Sequence, residues 1–254
     1  MKIITCCKVV PNEEEIKVLS SRKLDLSGSS WKISQYDLNA LESAKQLAAA
    51  TSGKVTALSI GSKAALEPTK IRKDILSRGA DDLSLVISDA VSFNDSLETA
   101  KAIVTALKAG AEYDLVLCGM GSSDLYFQEV GVQVGTLLGV PAVNNVTGIE
   151  VLGDGVLKVE RTLEDEIEVL EVALPAVLSV SSEINVPPVP AMRDIMRAGK
   201  KPVNVLGAAV EAAASTQMLE ELAPEQQERR QQVIEGDGEE AVEALVSFLK
   251  KECL

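Results

Sequence analysis

Residues 159–179 have the sequence VERTLEDEIEVLEVALPAVLS, in which two alternating apolar runs flank an acidic turn. The turn is Glu164-Asp165-Glu166, and Pro175 ends the second run just before the aliphatic residues 176–178. Alternation of apolar and polar residues is typical of half-buried strands, and polar residues are typical of the turns between them. The stretch therefore predicts a β-hairpin that leads into a further strand.

The chain before this hairpin alternates between predicted strands and helices. Strands are predicted at 2–10, 54–61, 83–87 and 113–118, and helices at 37–50, 67–77, 95–109 and 125–138. Asp37 is predicted as the N-cap of the first helix, and Asp95 as that of the third. Such alternation predicts a doubly wound α/β fold, with a parallel sheet covered by helices on both faces.

After residue 141 the pattern changes. It predicts strands at 143–150, 156–163, 167–173 and 176–180, a proline-rich loop at 185–190 and a short helix at 192–198. A polar arm follows at 208–237, and a final helix places Val242, Leu245, Val246 and Leu249 on one face. This helix either folds back or lies on a partner. We expect an α/β domain with the hairpin over residues 1–205, and a C-terminal arm plus helix over 206–254.

The composition excludes several classes of function. The 254 residues include no histidine, which argues against zinc hydrolysis and Ser-His-Asp catalysis. The net charge of −13 disfavours unassisted binding to nucleic acids. No apolar run approaches the roughly 20 residues of a membrane span, and the N-terminus lacks the apolar region of a signal peptide. We expect a cytoplasmic protein that binds no nucleic acid and does not insert into membranes.

The four cysteines are Cys6, Cys7, Cys118 and Cys253, and their spacing fits neither a zinc site nor a redox motif. Cys6 and Cys7 lie in the first predicted strand, so their side chains are expected to point to opposite faces. We predict reduced, buried thiols and no metal site.

A glycine-containing turn, Gly119-Met120-Gly121-Ser122-Ser123-Asp124, follows the fourth predicted strand and precedes a predicted helix. In a doubly wound sheet this is the edge where ligands bind. The glycines permit close backbone approach, and a helix N-terminus attracts anions. The turn is therefore either a phosphate-binding loop or an ordinary strand–helix connection. It lacks the lysine of a Walker loop and the third glycine of the dinucleotide fingerprint.

The spacing of residues 159–179, together with the opening motif Cys6-Cys7-Lys8-Val9-Val10-Pro11, resembles the electron-transfer flavoprotein beta subunit family. The family often has Asp-Gly-Gly at the position of Glu164-Asp165-Glu166. The resemblance implies an adenine-nucleotide hydrolase-like fold in an electron-carrier subunit that is not an enzyme. It also implies an alpha subunit that carries flavin, and a dehydrogenase or quinone-oxidoreductase as redox partner.

The resemblance further implies a nucleotide site in this chain. Its predicted residues are Cys6, Ser34, Asp37, Ile60, Gly119, Gly121, Ser122, Ser123, Asp124, Leu125, Gln128 and Val130. Cys6 and Ile60 would face adenine, although ordinary core packing also explains them. Where the family often has a threonine that contacts an AMP phosphate, this chain has Val130. Valine resembles the branch that binds a second FAD, which includes electron-bifurcating, nitrogen-fixation and carnitine-associated members. The cofactor is therefore predicted to be FAD, or AMP in its place.

Two further residues receive roles from the resemblance. Arg161 would project from the hairpin towards the flavin of the other subunit, and the alternative is an ion pair with a neighbouring glutamate. Met192 would form the apolar tip of a partner-recognition loop, and the alternative is that it starts the short helix and packs inward.

Two other functions remain as alternatives. One is a stand-alone adenine-nucleotide-binding protein of the stress-response type, which would need neither the hairpin signature nor the arm. The other is a nucleotide-dependent ligase or hydrolase, against which the missing histidines and Walker lysine argue.

Overall fold

The computed structural model describes residues 1–89, 94–110, 112–153, 155–207, 216–225 and 232–253. The predicted arm therefore lies partly outside the described residues, at 208–215 and 226–231. The strands are Lys2–Cys6 (β1), Val9–Pro11 (β2), Lys17–Val18 (β3), Leu24–Asp25 (β4), Trp31–Ile33 (β5), Lys54–Gly61 (β6), Asp82–Ile87 (β7), Leu115–Gly119 (β8), Ala142–Gly153 (β9), Val156–Thr162 (β10), Ile167–Ala173 (β11), Ala176–Val180 (β12) and Val203–Val205 (β13). The α-helices are Gln35–Thr51 (α1), Lys63–Leu66 (α2), Thr69–Ser77 (α3), Ser96–Ala109 (α4), Val130–Leu138 (α5), Met192–Ala198 (α6) and Glu239–Cys253 (α7).

Nine of the strands form one sheet in the order β11-β10-β9-β12-β8-β1-β6-β7-β13. From β9 to β13 all neighbours are parallel, whereas β10 is antiparallel to both β9 and β11. The predicted doubly wound parallel sheet with a hairpin extension is therefore confirmed.

Helices cover both faces of this sheet. Successive strand residues point to opposite faces, so each face carries apolar side chains that pack against helices. On one face, Cys7 packs with residues of α1, α3 and α6. On the other face, Cys6 packs with residues of α4 and α5. The prediction that Cys6 and Cys7 point to opposite faces is confirmed. Cys6, Cys7 and Cys118 are buried free thiols, and the side chain of Cys253 lies outside the described residues.

The hairpin formed by β10 and β11 places Arg161 opposite Glu168. Its turn closes with a hydrogen bond of 2.8 Å from the Leu163 N–H to the Glu166 carbonyl. None of the three turn residues Glu164, Asp165 and Glu166 has a positive φ. The acidic turn therefore forms without the left-handed backbone that glycines would provide.

The structure corrects several predicted boundaries. Helix α1 begins at Gln35, so Asp37 lies in its first turn and is not its N-cap. Helix α5 begins at Val130 instead of residue 125, because Tyr126 and Gln128 adopt φ values of 50° and 61°, which a right-handed helix does not permit. The predicted strand at 2–10 is interrupted after Cys6.

The C-terminal segment returns to its own domain at two described places. Thr216 donates hydrogen bonds to Asp95, and Ala223 exchanges hydrogen bonds with Arg22. The apolar face of α7, formed by Val242, Leu245, Val246 and Leu249, is exposed. Of the helices in the described part of the chain, none has the length and apolar character needed to cross a membrane.

Candidate functional site

A cleft opens at the carboxyl edge of the sheet, where the chain reverses the direction in which it adds strands. Strand β1 lies between β6 and β8, and in such folds the crevice at this switch point is the usual ligand site. The cleft has an empty volume of about 770 Å³, which includes the solvent at its open mouth. It is lined by Cys6, Cys7, Lys8, Asp37, Leu58, Ile60, Ser96, Thr99, Ile103, Cys118, Gly119, Met120, Gly121, Ser122, Phe127, Gln128, Glu129 and Val130.

Asp37 connects the two strand ends at the base of the cleft. Its carboxyl group accepts hydrogen bonds from the backbone N–H of Lys8 at 2.7 Å and of Gly119 at 3.0 Å. Burial raises the pKa of Asp37 from 3.8 to about 7, although these two hydrogen bonds and the charge of Lys8 act in the opposite direction. Since both N–H groups are already used, neither is available to a ligand.

Lys8 places an ammonium group in the cleft, and the sequence interpretation did not include it among the site residues. Its Nζ lies 2.7 Å from an Asp124 carboxylate oxygen and 3.5 Å from the Ser122 hydroxyl. Burial raises the pKa of Asp124, but the charge of Lys8 and the hydrogen bonds from Lys8 and Ser122 outweigh it, so this pKa lies below its usual value. The position of Lys8 directly after β1, in the opening motif, was the signal that could have identified it.

A run of backbone N–H groups lies where α5 begins. The amides of residues 127–132 have no hydrogen-bond acceptor within the part of the chain that the structure describes. The backbone of Gln128 is in the left-handed helical conformation, and that of Glu129 is in the right-handed one. Two successive residues of opposite hand direct their N–H groups into one concavity. Residues 127–130 line the cleft, so these donors are placed to bind an anionic group such as a phosphate.

Close packing at Gly131 positions this helix end. A Cβ atom at Gly131 would lie 1.9 Å from the Ser179 hydroxyl oxygen, so any other residue here would require this hydroxyl or the helix to move. At Gly121, a Cβ atom would lie 2.5 Å from a ring carbon of Tyr126, so this ring packs closely against the glycine.

The structure brings together most of the predicted site residues in one cleft. Those that line it are Cys6, Asp37, Ile60, Gly119, Gly121, Ser122, Gln128 and Val130, whereas Ser34, Ser123, Asp124 and Leu125 do not. Ser34 instead supports the turn, because its hydroxyl accepts a hydrogen bond of 3.2 Å from the Ser123 N–H. Cys6 is hydrogen-bonded to Cys118, and this bond together with burial raises the pKa of the Cys6 thiol.

The remaining two predicted residues lie outside the cleft. Arg161 is half-buried and forms an ion pair with Glu168 and a hydrogen bond of 3.3 Å to Asn144. Met192 is the first residue of α6 and is 72% exposed, so it begins the helix without packing inward. Met196, one turn further along, is 71% exposed.

The comparison with known families agrees with the observed fold. The family model described as electron transfer flavoprotein domain matches residues 23–211, well over half of the chain. The matched segment includes α1, the strands β6–β13, the glycine-containing turn and the hairpin. Proteins of this family carry electrons and are not enzymes in their own right. The chain belongs to the electron transfer flavoprotein domain family.

Proposed function

We propose that this chain is the beta subunit of a heterodimeric electron-transfer flavoprotein that binds FAD or AMP in the cleft at the β1–β8 switch point. The observation that carries the proposal is the run of N–H groups at 127–132, which has no acceptor among the described residues and whose residues 127–130 line the same cleft as Lys8. A nucleotide phosphate would accept hydrogen bonds from these N–H groups, and Lys8, which pairs with Asp124, would add a positive charge to the same cleft.

The walls of the cleft fit the other half of such a ligand. The base of the cleft offers the apolar side chains of Leu58, Ile60 and Ile103 and the sulfur atoms of Cys6 and Cys118, which suit a flat aromatic ring. A flavin bound here would supply the capacity to accept and release electrons. Both FAD and AMP present the adenosine phosphate that the cleft suits, and Val130 contributes a backbone N–H and no hydroxyl.

The other parts of the chain are assigned to partners. The exposed apolar face of α7 would contact the alpha subunit, and the exposed loop and helix around Met192 would contact a dehydrogenase or quinone-oxidoreductase. Arg161 would lie near the flavin of the alpha subunit. In this role the chain binds and orients its nucleotide and passes electrons without substrate chemistry. A part in electron bifurcation would require FAD in its own cleft.

The test is to co-express the chain with an alpha subunit of the same family and to count flavin and AMP in the purified heterodimer. We expect one nucleotide in this chain in addition to the flavin of the partner. Lys8→Gln should lower the affinity of that nucleotide by at least about tenfold, because a charged hydrogen bond contributes about 1.5–3 kcal/mol. The control is Lys32→Gln on β5, which removes only a surface ion pair between Lys32 and Glu13.

A heterodimer that contains only the partner's flavin would contradict the proposal. A chain that binds nucleotide but forms no heterodimer would instead support the stand-alone nucleotide-binding protein.

A further inference from the structure

The described arm residues 216–225 reach the wall of the cleft through a buried carboxylate. Asp95 is 3% exposed and precedes α4. One of its oxygens accepts the N–H of Glu98 at 2.9 Å, which caps the helix. The other oxygen accepts both the N–H and the hydroxyl of Thr216, each at 3.0 Å. A single carboxylate therefore holds the helix end and the arm at the same time.

The capped end of α4 is itself part of the cleft. Ser96 and Thr99 line it, and the Ser96 hydroxyl donates a hydrogen bond of 2.7 Å to the Glu129 carboxylate. The Gln133 amide donates to Ser96 at 3.2 Å and to Glu129 at 3.3 Å. Glu129 directly precedes α5 and belongs to the run of N–H donors at 127–132. Thr216 is thus connected to the candidate phosphate donors through its hydrogen bonds to Asp95, the peptide bond from Asp95 to Ser96, and the hydrogen bond from Ser96 to Glu129.

A second attachment holds the arm nearer its end. The Ala223 N–H donates to the Arg22 carbonyl at 2.8 Å, and Arg22 donates to the Ala223 carbonyl at 2.8 Å and pairs with Glu225 at 2.7 Å. Of the two attachments, the one at Asp95 is beside the cleft, because Asp95 directly precedes the cleft residue Ser96.

We propose that Asp95 and Thr216 are positioning residues of the nucleotide cleft, and that their contact, the arm latch, slows release of the nucleotide. The inference rests on the proposed function, since it concerns the ligand of that cleft. Opening of the latch would leave the cap of α4 in place but would remove the hold of the arm on Asp95, which directly precedes Ser96 and its contact with Glu129. By linkage, nucleotide binding must then also stabilise the closed latch.

The test uses the purified heterodimer with AMP or FAD as the probe. Thr216→Val removes the hydroxyl but keeps the shape and the backbone N–H, and we expect about tenfold faster nucleotide dissociation because one hydrogen bond to a charged group is lost. Thr216→Ser should restore the slow rate. Thr105→Val is the matched control, since the Thr105 hydroxyl bonds only within α4, to the Lys101 carbonyl.

Hydrogen exchange provides a readout that a purely structural role would not change. The amides of 216–225 should exchange more slowly when AMP or FAD is bound than when the nucleotide is removed, and Thr216→Val should abolish this difference. Equal dissociation rates in the wild type and Thr216→Val, or exchange at 216–225 that does not respond to nucleotide, would overturn the latch while leaving the proposed function intact. A wild-type heterodimer with no nucleotide in this chain would overturn both.

Discussion

The contact between Gly131 and Ser179 determines how closely α5 can approach the sheet, and therefore where its N-terminal N–H groups lie. A Cβ at position 131 would overlap the Ser179 hydroxyl, while its distance to the Ser179 Cβ would be 3.3 Å. The obstruction is thus one oxygen atom, which can be removed by a second substitution.

We predict that Gly131→Ala lowers the free energy of unfolding by about 1–3 kcal/mol, the usual effect of overpacking a buried site. The double variant Gly131→Ala/Ser179→Ala should recover most of this loss, because the overlapping oxygen is gone. Urea unfolding of the two single variants and the double variant measures the coupling between the sites. Additive effects of the two substitutions would show that the close approach does not depend on this contact.

Asp37 gives the stability of the chain a distinctive pH dependence. Its pKa is about 7 in the folded chain and near 3.8 in the unfolded chain, so the folded state binds more protons between these values. The contribution of Asp37 to the free energy of unfolding must therefore decrease as the pH rises through this window.

We predict that Asp37→Asn flattens the pH dependence of the free energy of unfolding between about pH 4 and pH 7. The variant should also be less stable overall, because the amide oxygen can accept from Lys8 or Gly119 while the amide nitrogen opposes the other N–H. Urea unfolding at several pH values measures both effects. Asp124→Asn is the control, since the pKa of Asp124 is shifted downwards and its removal should not flatten this window.

At the scale of elements, the hairpin combines a structural contact with a proposed electrostatic role. Arg161 and Glu168 are cross-strand partners, and their ion pair is partly exposed, so it contributes at most about 1 kcal/mol to stability. A cation near a flavin would raise the reduction potential of that flavin, because it stabilises the anionic reduced forms. This effect can be measured separately from the stability of the fold.

We predict that Arg161→Gln makes the reduction potential of the alpha-subunit flavin more negative, on the order of 30 mV for a two-electron couple. Glu168→Gln breaks the same ion pair and keeps the cation, so it should not shift the potential in that direction. Spectroelectrochemical titration of the heterodimer measures the flavin potential in both variants and so separates loss of the cation from loss of the ion pair. An unchanged potential in Arg161→Gln would leave the arginine with its structural role alone.

The sequence predicts the bounds of strands and helices well where the hydrophobic pattern ends at a turn residue or a proline. The predicted bounds of β6, β11, β12 and α6 agree with the structure, since turn residues or prolines frame each of them. The predicted start of α5 was wrong because Tyr126 and Gln128 adopt left-handed backbone conformations. Unlike glycine, these residue types do not indicate such a conformation in the sequence. For the same reason the sequence does not predict the donors at 127–132, whereas the position of Lys8 just after β1 was a usable signal for its place in the site.

At the scale of the whole molecule, the surface around Met192 is the proposed contact for the redox partner. Burial of a methionine side chain contributes roughly 1.5–3 kcal/mol. We therefore predict that Met192→Ala weakens the apparent affinity for a dehydrogenase by about tenfold to a hundredfold. Steady-state electron transfer at varied partner concentration measures this, while flavin content should stay unchanged. Met196→Ala, equally exposed one turn away, should have a smaller effect if Met192 is the anchor.

The final helix is the proposed contact for the alpha subunit, but the arm before it partly belongs to its own domain. Truncation after residue 238 removes α7 and keeps the contacts of Thr216 and Ala223. We predict a folded domain that no longer forms the one-to-one heterodimer, as measured by analytical ultracentrifugation. Glu243→Gln, on the same helix beside the apolar face, is the control. Retention of the heterodimer by the truncated chain would place the interface elsewhere.

The outer strand β11 ends the large sheet, and in the part of the chain that the structure describes no strand pairs with its outer edge. Its exposed face carries Ile167 and Val169, a combination that invites edge-to-edge aggregation. Glu166, Glu168 and Glu171 lie on or beside this strand, so pairing of two copies along this edge would bring like charges together. These carboxylates therefore protect an edge that would otherwise favour self-association, and replacing them with neutral residues should promote aggregation of the isolated chain.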